Sequence, residues 1–173
     1  MVLGPDRFTE QAQESLNNSQ LILNRYRHNQ WDCEHVLMAL IEQEKGVPAE
    51  ILNELGVNID IFHSRLHSML ENTDRTGGSS NQIYETPRLN DLFVRADAES
   101  KRLNDEFIGS EHLLVALTQE DVGEASEVLG EFGISTEMVY QALQKVRGGH
   151  RITDQRAESR YGSLERFATD LTI

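Results

Sequence analysis

Phe107-Ile-Gly-Ser-Glu-His-Leu-Leu-Val-Ala-Leu117 occurs twice in this chain, the second time as the looser copy Gln30-Trp-Asp-Cys-Glu-His-Val-Leu-Met-Ala-Leu40. The two histidines, His35 and His112, stand 77 positions apart (112 − 35). At that offset, without a gap, Thr9 falls on Thr86, Arg25 on Arg102, Gly46 on Gly123, Glu50 on Glu127 and Leu52 on Leu129. Glu54 likewise falls on Glu131, Gly56 on Gly133 and Leu66 on Leu143. A gapless self-match of this length marks a duplicated structural unit.

Each copy reads as four helices. Thr9 is a good N-cap for a first helix whose apolar positions Ala12, Leu16, Leu23 and Tyr26 share a face at period 3.6. His28 to Cys33 reads as a loop with Trp31 as its anchor, and Asp32 or Cys33 starts a second helix that Gly46 ends. Pro48 suits the first turn of a short third helix, Gly56 stops it, and Asn58 caps a fourth helix from Ile59 to about Leu70. Residues 72–82 form a polar, Gly- and Ser-rich connector, expected to be the most mobile part. Repeat two follows the plan: Thr86-Pro87 starts a helix, Ser110 caps the next, Gly123 and Gly133 bound a short one, and Ser135 caps the last, to Val146.

No run of alternating β-branched residues occurs, so the expected fold is all-α: two pseudo-twofold-related four-helix repeats with a groove at their seam. Repeat one spans 9–71, a connector 72–85 and repeat two 86–147, together a unit of residues 1–147. Gly148-Gly149 opens a linker over 148–173, where Tyr161, Leu164, Phe167, Ala168 and Leu171 make the apolar stripe of a C-terminal linker helix.

The chain carries 29 acidic against 16 basic residues, a formal charge of −13. Phosphate backbones require clustered Lys and Arg, so nucleic acid and anionic membranes are disfavoured as partners, whereas cationic peptide segments are favoured. A lone cysteine, Cys33, allows no internal disulfide, and no stretch reads as a signal peptide or membrane span. A cytoplasmic location is the default.

Three elements in order resemble the duplicated N-terminal domain of the Clp family of AAA+ chaperones and unfoldases. They are the Glu-His run at 107–114 with its copy at 30–37, Arg7-Phe8-Thr9-Glu10-x-Ala12, and the tail containing Arg147-Gly-Gly, Asp154, Ala157-Glu158 and Leu164-x-x-Phe-x-x-Asp-Leu-Thr172. The tail resembles the junction into the first ATPase module, closest to the ClpB type. Cys33 and Trp31 depart from the family pattern and leave ClpB and ClpC types both open. The resemblance implies a substrate- or adaptor-binding domain, non-catalytic by itself, whose parent protein is a hexameric ATPase using ATP and Mg. The sequence holds no G-x-x-x-x-G-K-[ST] run to cradle phosphates, so no cofactor is expected in this chain. Implied partners are unfolded or aggregated polypeptides, adaptor proteins and phosphoarginine-bearing proteins, and the isolated domain is expected to be a monomer. A free-standing adaptor that docks on a Clp ring is the alternative.

The resemblance implies that Thr9, Asp105 and Glu111 handle substrate, and that Glu34 and Glu111 bind phosphoarginine in ClpC-like members. Read from their positions alone, Glu34 and Glu111 lie in first helical turns, where a carboxylate complements the helix dipole. They also suit a bidentate guanidinium. His35 and His112 look like a metal pair, but a histidine so placed is more often a packed core residue. Cys33 with His35 or His28 sketches a thiol or zinc site without a third oriented group. Phe8, with Val2 and Leu3, is expected to be exposed or to line the groove as an apolar contact for polypeptide.

Overall fold

A computed structural model describes residues 3–73, 82–120 and 123–160. The expected stripe at 161–171 and residues 74–81 of the connector lie outside the described residues. Helices α1 (Glu10–Arg25), α2 (Cys33–Glu42), α3 (Val47–Glu54) and α4 (Ile59–Asn72) form repeat one. Helices α5 (Pro87–Arg102), α6 (Ser110–Gln119), α7 (Glu124–Glu131) and α8 (Thr136–Arg147) form repeat two. The all-α expectation holds, with one addition, a two-residue parallel pair of strands, β1 (Gln30–Trp31) and β2 (Tyr84–Glu85).

The helix starts follow the sequence. Thr9 Oγ1 accepts the Ala12 amide at 3.1 Å, and Thr86, Asn58 and Ser135 cap α5, α4 and α8 in the same way. Asp32 caps α2. In α6 the expectation fails: the N-cap is Gly109, which has no side chain, and Ser110 is the first helical residue. Helices α1 and α5 both end on a left-handed residue, Arg27 (φ 59°) and Asn104 (φ 60°). The next amides, of His28 and Asp105, return to Leu23 O and Ser100 O at 3.0 and 2.8 Å. This Schellman-type closure delivers residues 28 and 105 to matching places.

Residues 33–41 of α2 and 110–117 of α6 are buried on every side, so these two helices form the centre of the molecule. They pack against each other, with α1 on α2, α5 on α6, and α3 and α4 exchanged across the seam onto α8 and α7. Trp31, 4% exposed, anchors its loop in the core as expected and donates Nε1–H to Ser19 Oγ at 2.9 Å.

Two reciprocal main-chain crossings tie the repeats together. The Thr9 amide donates to Ile108 O at 2.9 Å, and the Thr86 amide to Trp31 O at 3.1 Å, the same bond 77 positions on. Each repeat thus lends its entry segment to the inter-helix loop of the other. The exposure expected of Phe8 is therefore corrected: pairing beside Ile108 drives its ring fully inside, edge-on to Phe93 at 6.1 Å. Leu3 is half-buried against the core, and Val2 lies outside the described residues. Phe8→Ala should cost about 3–5 kcal/mol of stability by urea unfolding, as removal of a large core side chain does. An exposed Phe8 would cost well under 1 kcal/mol.

Candidate functional site

In repeat two, the loop and α6 hold a closed polar cluster. His112 Nδ1 accepts the Gly109 amide at 2.7 Å, so its Nε2–H points to Asp105 Oδ2, also at 2.7 Å. Arg147, at the end of α8, donates Nη1–H to Glu111 at 3.1 Å and Nη2–H to Asp105. The chain then turns back over α6, where the Ile152 amide donates to Asp105 Oδ1 at 2.9 Å. Glu158 accepts the Ser110 amide at 3.1 Å and the hydroxyls of Thr9 and Ser110, supplying the cap that Gly109 lacks. Burial raises the Asp105 pKa, but the bonds from His112 and Arg147 outweigh it and hold the carboxyl below its usual value. For Glu158 burial wins, and its pKa is raised despite the Ser110 and Thr9 bonds.

The counterpart in repeat one is built from different residues. His28 stands in the place of Asp105, Cys33 in that of Ser110, Asp32 in that of Gly109, and Leu70 in that of Arg147. The Asp32 amide donates to His35 Nδ1 at 3.0 Å, and His35 Nε2–H reaches His28 Nδ1 at 2.9 Å. Those ring nitrogens face each other rather than a shared ion, and the described residues contain no cluster with metal-ligand geometry. Burial, then the neighbouring His28, lowers the His35 pKa to about 4, which keeps the ring neutral.

Because Leu70 supplies no guanidinium, Glu34 has no counterpart of the Arg147 pair among the described residues. A hollow of about 450 Å³ opens at the seam, lined by His28, Gln30, Asp32, Glu34, His35, Asn72, Thr73 and, from repeat two, Glu124. Glu34 is 5% exposed, and its Oε2 finds no hydrogen-bond partner among the described residues. Burial, then the charges of Asp32 and Glu124, raises its pKa to about 8, against the opposing effects of a hydrogen bond from its own backbone amide and, smaller, of Arg88. Arg88 crosses the seam to bond Asp32 and lies 3.8 Å from Glu120. Burial, aided by Glu120, pushes the Cys33 thiol up, the opposite of what an activated nucleophile needs.

The residues expected to form the site therefore separate. Thr9, Asp105 and Glu111 meet in one cluster, joined through Glu158 and Arg147, and are fully or nearly buried. Glu34 lines the hollow, and Phe8 lies in the core. Sequence reading passed over Arg147, Glu158, Gly109, Arg88 and Glu124. The first two stand in tail motifs visible in the sequence, but nothing local points them at positions 105–111.

The residues from 7 to 132 match the model of the Clp repeat (R) N-terminal domain. The chain belongs to that family. It is 33% identical over 169 residues to chaperone protein ClpB 2 of Nostoc sp., covering 97% of this chain and 19% of that protein. ClpB of Nitratidesulfovibrio vulgaris is 33% identical over 172 residues, covering 95% of this chain and 20% of that one. The chain thus spans about a fifth of the length of these relatives. Among solved structures, the Hsp104 N-terminal domain from Candida albicans superposes with a TM-score of 0.77 at 18% identity, covering 87% of this chain and 98% of that one. A ClpV N-domain in complex with a VipB peptide gives a TM-score of 0.64 at 17% identity, covering 80% and 85%. Among the described residues of this Clp repeat domain, no helix is long and apolar enough to cross a membrane.

A carboxyl whose folded pKa is raised binds its proton more tightly folded than unfolded, so its contribution to stability falls as pH rises. For Glu34 the fall runs from the ordinary carboxylate range up through about 8. Glu34→Gln should therefore raise the melting temperature at pH 8.5 by several degrees, at about 2–4 °C per kcal/mol for a chain of this size. The gain should vanish near pH 4.5. A gain equal at both pH values would sink the assignment.

Proposed function

We propose that the chain is the substrate- and adaptor-capturing domain of a Clp-type ATP-dependent chaperone. In this reading the seam hollow around Glu34 receives a cationic side chain of an extended polypeptide. The observation that carries it is the buried Glu34 carboxyl, one oxygen of which has no hydrogen-bond partner among the described residues, facing a hollow whose repeat-two counterpart holds the guanidinium of Arg147. That pairing is an internal template for the ligand: an arginine side chain on an acid in the first turn of a central helix. The parent is read as a cytoplasmic hexameric AAA+ protein using ATP and Mg, this chain contributing binding and no catalysis. Displayed six times on linkers, weak sites gain by local concentration. Unfolded or aggregated proteins, adaptors and phosphoarginine-bearing proteins are the proposed partners. Thr9, Asp105 and Glu111 are proposed as a second contact region, and Phe8 as its support from within the core rather than as a contact. Support also comes from the ClpV N-domain seen with a peptide.

Titration with an unstructured arginine-containing peptide should shift the amide signals of Glu34, His28 and Glu124. Glu34→Gln should weaken binding about tenfold or more, the range for losing a charge-assisted hydrogen bond. An incoming cation forces the Glu34 carboxyl to ionise, so affinity should rise as pH is raised from 6 through about 8. Citrulline in place of arginine should abolish the effect. Equal binding of both peptides, or shifts confined to the surface far from the seam, would reject the reading.

A further inference from the structure

At the C-terminal ends of α5 and α8 lies a second hollow, of about 560 Å³, that shares no lining residue with the one at the seam. Leu103, Tyr140 and Leu143 belong to its apolar lining, and Arg102, His150 and Arg151 to its polar lining. None of its described lining residues is acidic, although the chain carries 29 acidic residues against 16 basic. Basic residues at the end of a helix ordinarily answer the helix dipole. That accounts for the charge of Arg102 but not for how its side chain is held. Its Nε–H donates to Glu99 Oε2 at 3.2 Å, and its guanidinium lies 4.6 Å over the ring of Tyr140. Tyr140 donates its hydroxyl to that same oxygen at 2.5 Å, and Gln119 donates to Glu99 Oε1 at 2.7 Å. Glu99, 6% exposed, is thus occupied in setting the plane of the guanidinium. The fork of Arg102, Nη1 and Nη2, has no hydrogen-bond partner among the described residues.

The duplication supplies the comparison. Arg25 stands 77 positions before Arg102, and Glu42 stands 77 before Gln119. In repeat one Glu42, the last residue of α2, takes the whole fork: Arg25 Nη1–H and Nη2–H donate to its two oxygens at 2.9 and 3.2 Å. His63, in the place of Tyr140, reaches the same carboxylate at 2.9 Å. In repeat two the acid has moved from the central helix to the flanking one, with Gln119 for Glu42 and Glu99 for Ile22. From there it holds Nε and leaves the fork bare. Further along, Gly148 and Arg151 stand where repeat one has Glu71 and Asp74, so two acids are replaced by a glycine and a cation. Arg151 is exposed and has no ion pair among the described residues.

We propose that this hollow binds an acidic segment of a partner polypeptide, one in which an apolar side chain neighbours an aspartate or glutamate. The carboxylate pairs with the fork of Arg102, with Arg151 as a second cation, and the apolar side chain lies on Tyr140, Leu103 and Leu143. Repeat one shows this pairing already made within the chain, on the equivalent arginine. An arginine whose plane is already fixed loses little freedom when a carboxylate joins it by two parallel bonds. The hollow also has room for such a segment, lying within the range of roughly 300–1,000 Å³ that encloses a ligand. Charge sets the partner's sign: most of this acidic surface repels such a segment, which therefore settles where the lining is basic. The inference does not depend on the reading of Glu34, since the two hollows take opposite charges and share no lining residue.

The test uses the whole chain and an unstructured, N-acetylated peptide of alternating Asp and Leu that contains no Lys or Arg. Titration should shift the signals of Arg102, Tyr140 and Gly149 and leave those of Glu34 and Glu124 in place. Arg102→Gln should weaken binding about tenfold or more, the range for losing a charge-assisted hydrogen bond. Arg151→Glu, at an exposed residue outside the Glu99 network, should weaken it severalfold and decides the matter if Arg102→Gln disturbs folding. Asn in place of Asp should abolish binding, and Ala in place of Leu should weaken it. Glu34→Gln should leave the affinity for this peptide unchanged, which keeps the two sites distinguishable. Equal binding of the Asp and Asn peptides overturns the inference, and so does a peptide that shifts no residue of this hollow. Inorganic phosphate that shifts the same residues with equal affinity overturns it too, because a bare anion then suffices. So does self-association of the chain that Arg151→Glu abolishes in sedimentation, because the occupant is then a second copy.

Discussion

Everything in this fold hangs on the exchange of entry segments between the repeats. The bonds from Thr9 to Ile108 and from Thr86 to Trp31 are main-chain bonds, and buried amides must be satisfied somewhere. Removing either repeat would orphan a donor and an acceptor and uncover Phe8, Trp31 and Phe93, whose rings meet across the crossing at 5.9–6.1 Å. Neither half is therefore an independent domain. The crossing also positions the polar cluster of repeat two. Thr9 takes its amide bond from repeat two, caps α1 with its oxygen and donates its hydroxyl to Glu158, so one residue registers α1, the loop before α6 and the tail against each other.

Upon this symmetric frame, a few substitutions separate the two polar sites. A carboxylate at 105 demands a cation once buried, and Arg147 meets that demand; an imidazole at 28 makes none, and Leu70 stands where the cation would have come from. Asp32 caps its own helix, whereas Gly109 leaves the α6 terminus to be capped from a distance by Glu158. Each change is locally cheap because its partner changed with it. Together they turn equivalent positions into a neutralised cluster and a hollow containing one acid with an unmet oxygen. Burying an unpaired carboxylate is expensive, and burial accordingly raises the Glu34 pKa and favours its neutral, protonated form.

The helices were legible because each is specified within its own few residues: a capping side chain, an apolar face, a glycine or left-handed stop. The repeat offset supplied the pseudo-twofold plan. The strand pair was not legible, since two residues leave no alternation to read and their partners lie 54 positions apart, at Gln30 with Tyr84. Phe8 looked exposed because it stands near the start of the chain, and only the pairing with Ile108 buries it. Ser110 looked like a cap because the sequence offers a hydroxyl there. The true capping oxygen belongs to Glu158, 48 positions away. Of the candidate site, the sequence pointed to the acids at 34, 105 and 111 but not to the groups that distinguish their surroundings. An acid is visible from sequence; whether it is already neutralised depends on what the fold brings beside it.

That distinction bears on how an acidic protein selects a cationic ligand at all. A net charge of −13 attracts any basic segment over roughly a Debye length, about 8 Å at physiological salt. Such attraction steers encounters without choosing among them, since every solvated carboxylate on the surface contributes. Selection needs a carboxyl that water has already left, because only there is desolvation prepaid and the pairing geometry fixed. Glu34 is buried and its pKa is raised, so in the proposed reading it adds less to the steering field than a surface carboxylate and acts at contact. In the proposed reading the surface charge and the buried acid perform separate tasks, the one setting how often a basic segment arrives and the other setting which side chain stays.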